Sequence, residues 1–258
     1  MKNTVKTILK KKGAEKIAMI TAYDAMFAKL ADAAGIDIIL VGDSVGNTVL
    51  GMKSTVGVTL DTMIHHTAAV ARADTNALVL ADLPFCRAHY SFDSLLDDCR
   101  RLVQEGGADA IKIEGGAEIA DKIEKLVNAG IAVMGHIGLE PQQVLKLGGY
   151  RKFGNSDAER QKLLNDAKAL ESAGAFSILM EMTAGDLAAE ITRSVSVPTI
   201  GIGSGGSCDG QVLVCADILG LSPRAPSFVK RYADLGAIIS AAYAEYVSDV
   251  KSGKFPQE

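Results

Sequence analysis

The stretch Ile36-Asp37-Ile38-Ile39-Leu40-Val41-Gly42-Asp43-Ser44 decides the fold. An apolar run rich in β-branched residues stops abruptly at Gly-Asp-Ser. It lacks polar alternation, as strands buried on both faces of a parallel sheet do. In parallel α/β folds the carboxyl ends of the strands carry the chemistry. The same grammar recurs. Leu78-Val79-Leu80-Ala81-Asp82 ends in an acid, as do Ala110-Ile111-Lys112-Ile113-Glu114 and Ser177-Ile178-Leu179-Met180-Glu181. Ile131-Ala132-Val133-Met134-Gly135-His136 ends in an imidazole.

Toward the N-terminus, the pattern predicts a strand over 17–24 and a helix over 25–34 closed by Gly35. A short helix over 4–12, ended by Gly13, is placed to plug the bottom of a barrel. Toward the C-terminus, 45–60 is rich in Gly, Thr and Val and shows no helical period. Following the central Asp, it reads as a loop that closes as a mobile lid. The helix over 61–72 carries His65 and His66, which point ~100° apart and so cannot both face one site. Further strands are expected at 78–84, 108–114, 131–138, 176–182, 198–203 and 211–219. Helices are expected at 91–105, 117–129, 157–173, 187–194 and 228–251, with a second long loop at 139–155. Eight strands mostly separated by helices make a (β/α)8 barrel. The link 204–210 is too short for a proper helix, so either it holds a single turn or strand eight lies elsewhere. No linker or shift in composition divides the chain, so 1–258 reads as one barrel domain.

The 258 residues are 48% hydrophobic, enough for a sizeable core, and carry a net charge of −4. Basic residues form no stripe, which argues against nucleic acid and anionic membranes as partners. Lys10-Lys11-Lys12 reads as a solvated helix end. There is no secretory h-region and no apolar stretch of about 20 residues, so a cytoplasmic location is expected. Cys86, Cys99, Cys208 and Cys215 lack metal-ligand spacing and read as free thiols. Cys208, in a Gly-rich loop, is the candidate for a reactive one, although an ordinary thiol is the favoured reading.

In a barrel every strand end points to one face. Asp43, Asp82, Glu114, His136 and Glu181 therefore converge. Carboxylates without a His pair or Cys set point to a hard cation such as Mg²⁺, which leaves positions open for a substrate. Lys112 lies two residues before Glu114 and points to the same side of its strand. Two roles fit it, clamping a substrate carboxylate or forming a Schiff base, beside a purely structural ion pair. Gly201-Ile202-Gly203-Ser204-Gly205-Gly206 matches the dinucleotide fingerprint by letter only. That motif needs a following helix to receive pyrophosphate, and here the chain enters another strand.

These residues resemble the ketopantoate hydroxymethyltransferase family. The matching stretches are Thr21-Ala22-Tyr23-Asp24, Leu40-Val41-Gly42-Asp43-Ser44, Asp82-Leu83-Pro84-Phe85, Lys112-Ile113-Glu114-Gly115-Gly116 and His136-Ile137-Gly138-Leu139. Gly148-Gly149-Tyr150, Pro198-Thr199-Ile200-Gly201-Ile202-Gly203 and Cys208-Asp209-Gly210-Gln211-Val212-Leu213-Val214 complete the set, in order along nearly the whole chain. The resemblance implies an α/β fold, a (β/α)8 TIM barrel of the phosphoenolpyruvate/pyruvate-like type. It implies transfer of a hydroxymethyl group from 5,10-methylenetetrahydrofolate to 2-oxoisovalerate, through a Mg²⁺-stabilised enolate, in pantothenate biosynthesis. Carried over motif by motif, Asp43 and Asp82 are Mg²⁺ ligands and also face the substrate. Glu114 sits at the metal or behind one of its waters. Ser44 and Lys112 hold the substrate carboxylate, His136 lines the site and Glu181 is the general base. A cytoplasmic homo-oligomer, typically a decamer, is implied as well. The chain departs from the family's pattern at Cys86-Arg87, in the 45–60 segment, at Phe153 for a frequent Gln, at Thr183-Ala184 for Val-Pro, and at Ser204 for a frequent Ala. Rival readings are a Mg²⁺-dependent lyase or mutase acting on another 2-oxoacid, which folate dependence would separate, and a non-catalytic binder, which failure to bind Mg²⁺ would favour.

Overall fold

The computed structural model describes residues 2–256. Eight parallel strands close a barrel in chain order. α1 (Val5–Leu9) precedes β1 (Ile17–Thr21), and α2 (Ala25–Ala33) leads to β2 (Ile38–Val41). α3 (Val45–Thr48) and α4 (Leu60–Ala71) follow, then β3 (Leu78–Asp82), α5 (Phe92–Gln104) and β4 (Ala110–Glu114). α6 (Ala120–Asn128), β5 (Val133–Gly138), α7 (Val144–Leu147) and α8 (Asp157–Ser172) come next. β6 (Ser177–Glu181), α9 (Gly185–Ser194), β7 (Thr199–Ile202) and β8 (Gly210–Leu213) complete the barrel, followed by α10 (Cys215–Ile218) and α11 (Leu235–Ser252).

Strands β2 to β5 are buried along their whole length, as their continuous apolar runs require. Met19, Ile38, Leu40, Leu80, Met134, Leu179 and Ile200 join one core. Ile8 of α1 belongs to it and is fully buried, so α1 does plug the barrel. Burying one such side chain contributes about 1.5–3 kcal/mol, which lets a five-residue helix hold its place. Thr4 caps it by accepting from Thr7 N.

The basic run is not simply solvated. Lys11 Nζ lies 2.9 Å from Asp37 Oδ1, and Lys12 Nζ lies 2.9 Å from Asp209 Oδ2. Each lysine ties the chain just after α1 to a carboxylate at the amino end of a barrel strand, a partner that charge patterning alone does not name.

The link from β7 to β8 contains no helix. An extended chain covers up to about 3.6 Å per residue, so the segment after Ile202 can run back along the short β7 without one. Asp209 anchors the return, accepting from Thr199 N at 2.8 Å and Thr199 Oγ1 at 3.0 Å. Strand eight is therefore in the expected place but stops at Leu213, where Val214 O accepts from Asp217 N and turns the chain into α10.

Neither long loop is irregular throughout. The 45–60 segment contains α3 and a 3₁₀ turn, Thr55–Gly57, with Val45, Thr55 and Val58 buried. The 139–155 segment contains a 3₁₀ turn, Pro141–Gln143, and α7. Such one-turn helices are too short to show a 3.6-residue period.

The described residues form two compact units, one ending at Val212 and one beginning at Leu213. In the second, Tyr232 N and Leu235 N donate to Ile218 O and Leu219 O. Its helix α11 begins seven residues later than the pattern over 228–251 implies, capped by Asp234 accepting from Ala237 N. No residue of α11 is buried, and no described helix is long and apolar enough to cross a membrane.

The candidate active site

Parallel register sets the site. It pairs Asp82 with Lys112, Glu114 with His136, and Gly138 with Glu181 across neighbouring strands. Paired residues point to the same side of the sheet. Lys112 Nζ lies 2.9 Å from Asp82 Oδ1 and 3.0 Å from His136 Nδ1. Glu114 Oε1 is 3.7 Å from His136 Nδ1, and His136 Nε2 is 3.5 Å from Glu181 Oε2. Asp43 joins through its backbone, its N–H donating to Asp82 Oδ2 at 3.0 Å. Six of the seven residues singled out from the sequence thus form one continuous network. Ser44, the seventh, follows Asp43 in the chain, and its Oγ lies 2.9 Å from the Tyr23 hydroxyl. Gly42 leaves the space these groups need, since a Cβ there would stand 2.8 Å from Ser44 Oγ and 3.4 Å from Asp82 Oδ2.

The electrostatics are lopsided. Asp43, Asp82, Glu114 and Lys112 are all buried. Burial, reinforced by Asp82, pushes the Asp43 carboxyl up to about 7. Burial raises Asp82 as well, against the pull of Lys112. Glu114 is raised well above its usual range by burial and then by Asp43. Burial pushes Glu181 up to about 8, Lys112 opposing and Asp43 and Asp82 assisting. Burial works against the Lys112 ammonium, but Asp82, Glu114 and Asp43 outweigh it and hold the lysine charged. His136 is held well below its usual range, by burial first and then by Lys112. An ammonium only donates, so Nδ1 of the neutral ring accepts and its proton sits on Nε2. That N–H lies on the Glu181 side, Nε2 being 3.5 Å from Glu181 Oε2.

One ammonium faces three buried carboxylates, with a fourth, half-buried, at Glu181. The missing charge and the all-oxygen donor set fit a hard divalent cation. Among the described residues, no three His, Cys, Asp or Glu side chains are disposed to hold one ion. Glu114 is committed elsewhere, its Oε2 accepting from Gln142 N at 3.1 Å. Mg²⁺ keeps waters and takes one or two carboxylates, so it does not require three protein ligands.

Gln142 is the main residue that sequence reasoning missed. Its Nε2 donates to Asp43 Oδ2 and to Leu83 O, each at 2.9 Å, so it bridges β2, β3 and the loop after β5. A glutamine in a segment read as an irregular loop carries no signal of that role. Tyr23 was visible only as part of a motif. His66 proves structural, its Nδ1 lying 2.7 Å from Tyr23 O. All four cysteines are free. Cys208 is buried and burial raises its thiol, which removes it as a reactive candidate.

Glu181 is aimed by strain and close packing. Met182 follows it at φ 47°, a left-handed conformation costing about 1–3 kcal/mol in a non-glycine residue. Gly138, at φ 94°, lies so close that a Cβ would stand 2.3 Å from Glu181 O. The departures from the family's pattern gather just beyond. Thr183 N donates to Ser204 Oγ at 3.0 Å, and Ala184 N to Phe153 O at 2.9 Å. A proline at 184 could not make the second bond.

A cavity of about 740 Å³ opens beside Glu114, between the loops after β3 and β5. Phe85, Cys86 and Phe153 are among its walls.

Fold and site together define a (β/α)8-barrel protein with a buried carboxylate–lysine–imidazole centre at the carboxyl ends of its strands. The barrel is similar to phosphoenolpyruvate phosphomutase from Streptomyces platensis subsp. rosaceus, with a TM-score of 0.63 at 17% identity over 97% of this chain and 88% of that one. It is also similar to 2,3-dimethylmalate lyase, with a TM-score of 0.63 at 15% identity over 100% and 91% of the two chains. At that identity the likeness is one of fold. The family model for ketopantoate hydroxymethyltransferase matches residues 2–258. The 3-methyl-2-oxobutanoate hydroxymethyltransferase of Staphylothermus marinus is 53% identical over 99% of this chain and 94% of its own length. That of Carboxydothermus hydrogenoformans is 54% identical over 96% and 90%. The chain belongs to the ketopantoate hydroxymethyltransferase family.

Proposed function

We propose that this chain is a 3-methyl-2-oxobutanoate hydroxymethyltransferase, moving a hydroxymethyl group from 5,10-methylenetetrahydrofolate to 2-oxoisovalerate in pantothenate biosynthesis. The observation that carries the reading is the pairing of a raised carboxyl, Glu181, with a lysine and buried carboxylates on the opposite strands of one barrel mouth. The family match supports this activity over the lyase or mutase alternative.

Glu181 is the base that takes the C3 proton. A general base works best with a pKa near the working pH, and burial brings Glu181 to about 8. His136, with its proton on Nε2, offers that N–H to Glu181 or to a substrate oxygen beside it. Lys112 stays an ammonium and attracts the substrate carboxylate. Ser44, oriented by the Tyr23 hydroxyl, donates to the same end of the substrate. Asp43 and Asp82 would hold Mg²⁺, with Glu114 behind one of its waters, and the ion would polarise the 2-oxo group as a Lewis acid. The carbanion at C3 then takes the one-carbon unit from the folate, and water supplies the hydroxyl oxygen. Lys112 needs no Schiff base in this scheme, because its ammonium is held charged by Asp82.

We place the reaction in the cytoplasm and the chain in a homo-oligomer, a decamer by family resemblance. The exposed apolar side chains of α11, Ile238 and Tyr243 among them, support assembly with further copies.

The test is exchange of the C3 proton of 2-oxoisovalerate in D₂O with Mg²⁺ and no folate, followed by NMR with a chelator control. Metal-dependent exchange is expected. Its absence in protein shown to bind Mg²⁺ refutes the assignment of substrate or base.

A further inference from the structure

Two loops that leave the barrel at different strands meet over one carboxylate. The loop after β2 folds back on itself. Met52 N donates to Gly46 O at 2.8 Å, and a Cβ on Gly46 would stand 2.7 Å from Val58 Cγ2. This packing buries Val45, Thr55 and Val58 and draws the turn Thr55–Gly57 inward. The loop after β5 contributes the turn Pro141–Gln143, and the two turns pack against each other. A single turn is too short to hold itself in water, so contacts beyond its own backbone must fix it.

Each turn brings one polar side chain to Asp43. Gln142 Nε2 donates to Asp43 Oδ2 at 2.9 Å, and Gln142 N donates to Glu114 Oε2 at 3.1 Å. The second amide hydrogen of Gln142 goes to Leu83 O at 2.9 Å, so its side chain has no N–H left for a substrate. It places a carboxylate instead. Thr55 supplies the other turn's group. Its hydroxyl is fully buried and makes no hydrogen bond among the described residues. Burial and Asp82 drive the Asp43 carboxyl toward its neutral form, while Lys112, the Gln142 amide and the Thr55 hydroxyl work against them. A buried hydroxyl left unpaired is costly, and valine would fill the same space without that cost. The hydroxyl is therefore kept for a bond that tightens when Asp43 is charged.

We propose that Thr55 and Gln142 are positioning residues of the oxoacid centre, a clasp in which the loops after β2 and β5 close together on the Asp43 carboxyl and hold it for a divalent cation. The inference rests on the transferase reading and deepens it. Asp82 is fixed from within the barrel, by Lys112 at 2.9 Å and by Asp43 N at 3.0 Å. Asp43 has no ion pair at such a distance among the described residues, so its orientation depends on the loops. An ion that takes Asp43 then orders both loops at once, and loss of either donor loosens both.

The experiment measures Mg²⁺ binding to the full chain by calorimetry, without substrate. Thr55→Val and Gln142→Met keep the volume and remove the donor. Each is expected to weaken Mg²⁺ about 10–100-fold, the usual cost of removing a residue that orients a metal ligand. The double variant is expected to lose little more than either single one, because both donors hold one carboxyl. Thr55→Ser keeps the hydroxyl and is expected to bind nearly as wild type. Wild-type binding by either Thr55→Val or Gln142→Met, a double loss equal to the product of the single ones, or Thr55→Ser as weak as Thr55→Val overturns the proposal. Hydrogen exchange on the wild type needs no variant to fold. Mg²⁺ is expected to slow amide exchange in 45–60 and 139–155 together, and protection of one segment without the other overturns the proposal. In Thr55→Val at saturating Mg²⁺, 139–155 is expected to be protected less, a change across loops that loss of local packing does not produce. The C3-proton exchange of 2-oxoisovalerate tests the transferase reading separately. Its absence from wild type whose two loops Mg²⁺ protects removes the oxoacid substrate and leaves the clasp. Its presence, with Mg²⁺ binding unaltered in both variants, sinks the clasp alone.

Discussion

Replacing Lys112 by methionine removes the ammonium that faces Asp82 at 2.9 Å and His136 Nδ1 at 3.0 Å, while filling most of its volume. Breaking a buried ion pair by deleting one partner costs about 3–5 kcal/mol when the other stays charged. Asp82 can escape part of this by taking up a proton, because burial already raises its carboxyl. The lower end, about 3 kcal/mol, is therefore expected at pH 8. A domain of this size loses about 2–4 °C of Tm per kcal/mol, so the variant melts about 6–12 °C lower. The effect shrinks toward pH 5, where the carboxyls protonate and the lysine has less charge to balance. A related slope is expected of wild type. Asp43 titrates at about 7 and Glu181 at about 8 when folded, against ordinary values of 3.8 and 4.5. The folded chain thus binds more protons than the unfolded one between about pH 4 and 8, so stability falls as pH rises through that window and levels above it. Differential scanning calorimetry in chelator, at equal protein concentration and at pH 5 and 8, measures both. A loss of less than 2 °C, or an equal loss at the two pH values, refutes the charge-balance argument. Added Mg²⁺ is expected to recover part of the wild-type loss at pH 8.

Glu181→Gln is expected to retain 2-oxoisovalerate binding and slow C3-proton exchange by about 10²–10⁴-fold, the usual contribution of a general base. Exchange at the wild-type rate moves the base elsewhere. Asp82→Ala is expected to abolish Mg²⁺-dependent turnover, and full activity with Mg²⁺ removes Asp82 from the ion. Gly138→Ala places a methyl group 2.3 Å from Glu181 O at φ 94°, so exchange is expected to fall at least tenfold with a lower melting temperature. Unaltered exchange means that the end of β6 is not held by this contact.

The barrel and most of its centre were legible because they are written in strand periodicity. A strand buried on both faces announces itself as an apolar run, and its last polar residue marks the rim. That rule located Asp43, Asp82, Glu114, His136 and Glu181 one by one, and the two-residue spacing put Lys112 beside Glu114. Gln142 escaped because it acts from a one-turn helix, where no periodicity can form. Lys11 and Lys12 were misread as solvent-facing because Asp37 and Asp209, their partners, lie 26 and 197 residues further along the chain.

What the sequence determined by itself was therefore the architecture and the identity of the charged groups at the strand ends, which follow from local pattern, while the family came from the resemblance of motifs spread along the chain. What only the tertiary structure decided was who faces whom. Closure of the barrel brought the Lys112 ammonium to His136 Nδ1, which sets the ring's tautomer. It also stacked buried carboxylates against one ammonium. Hydrogen-bond direction and carboxyl titration depend on distances of a few ångströms between residues far apart in the chain, and those distances exist only after the barrel has closed.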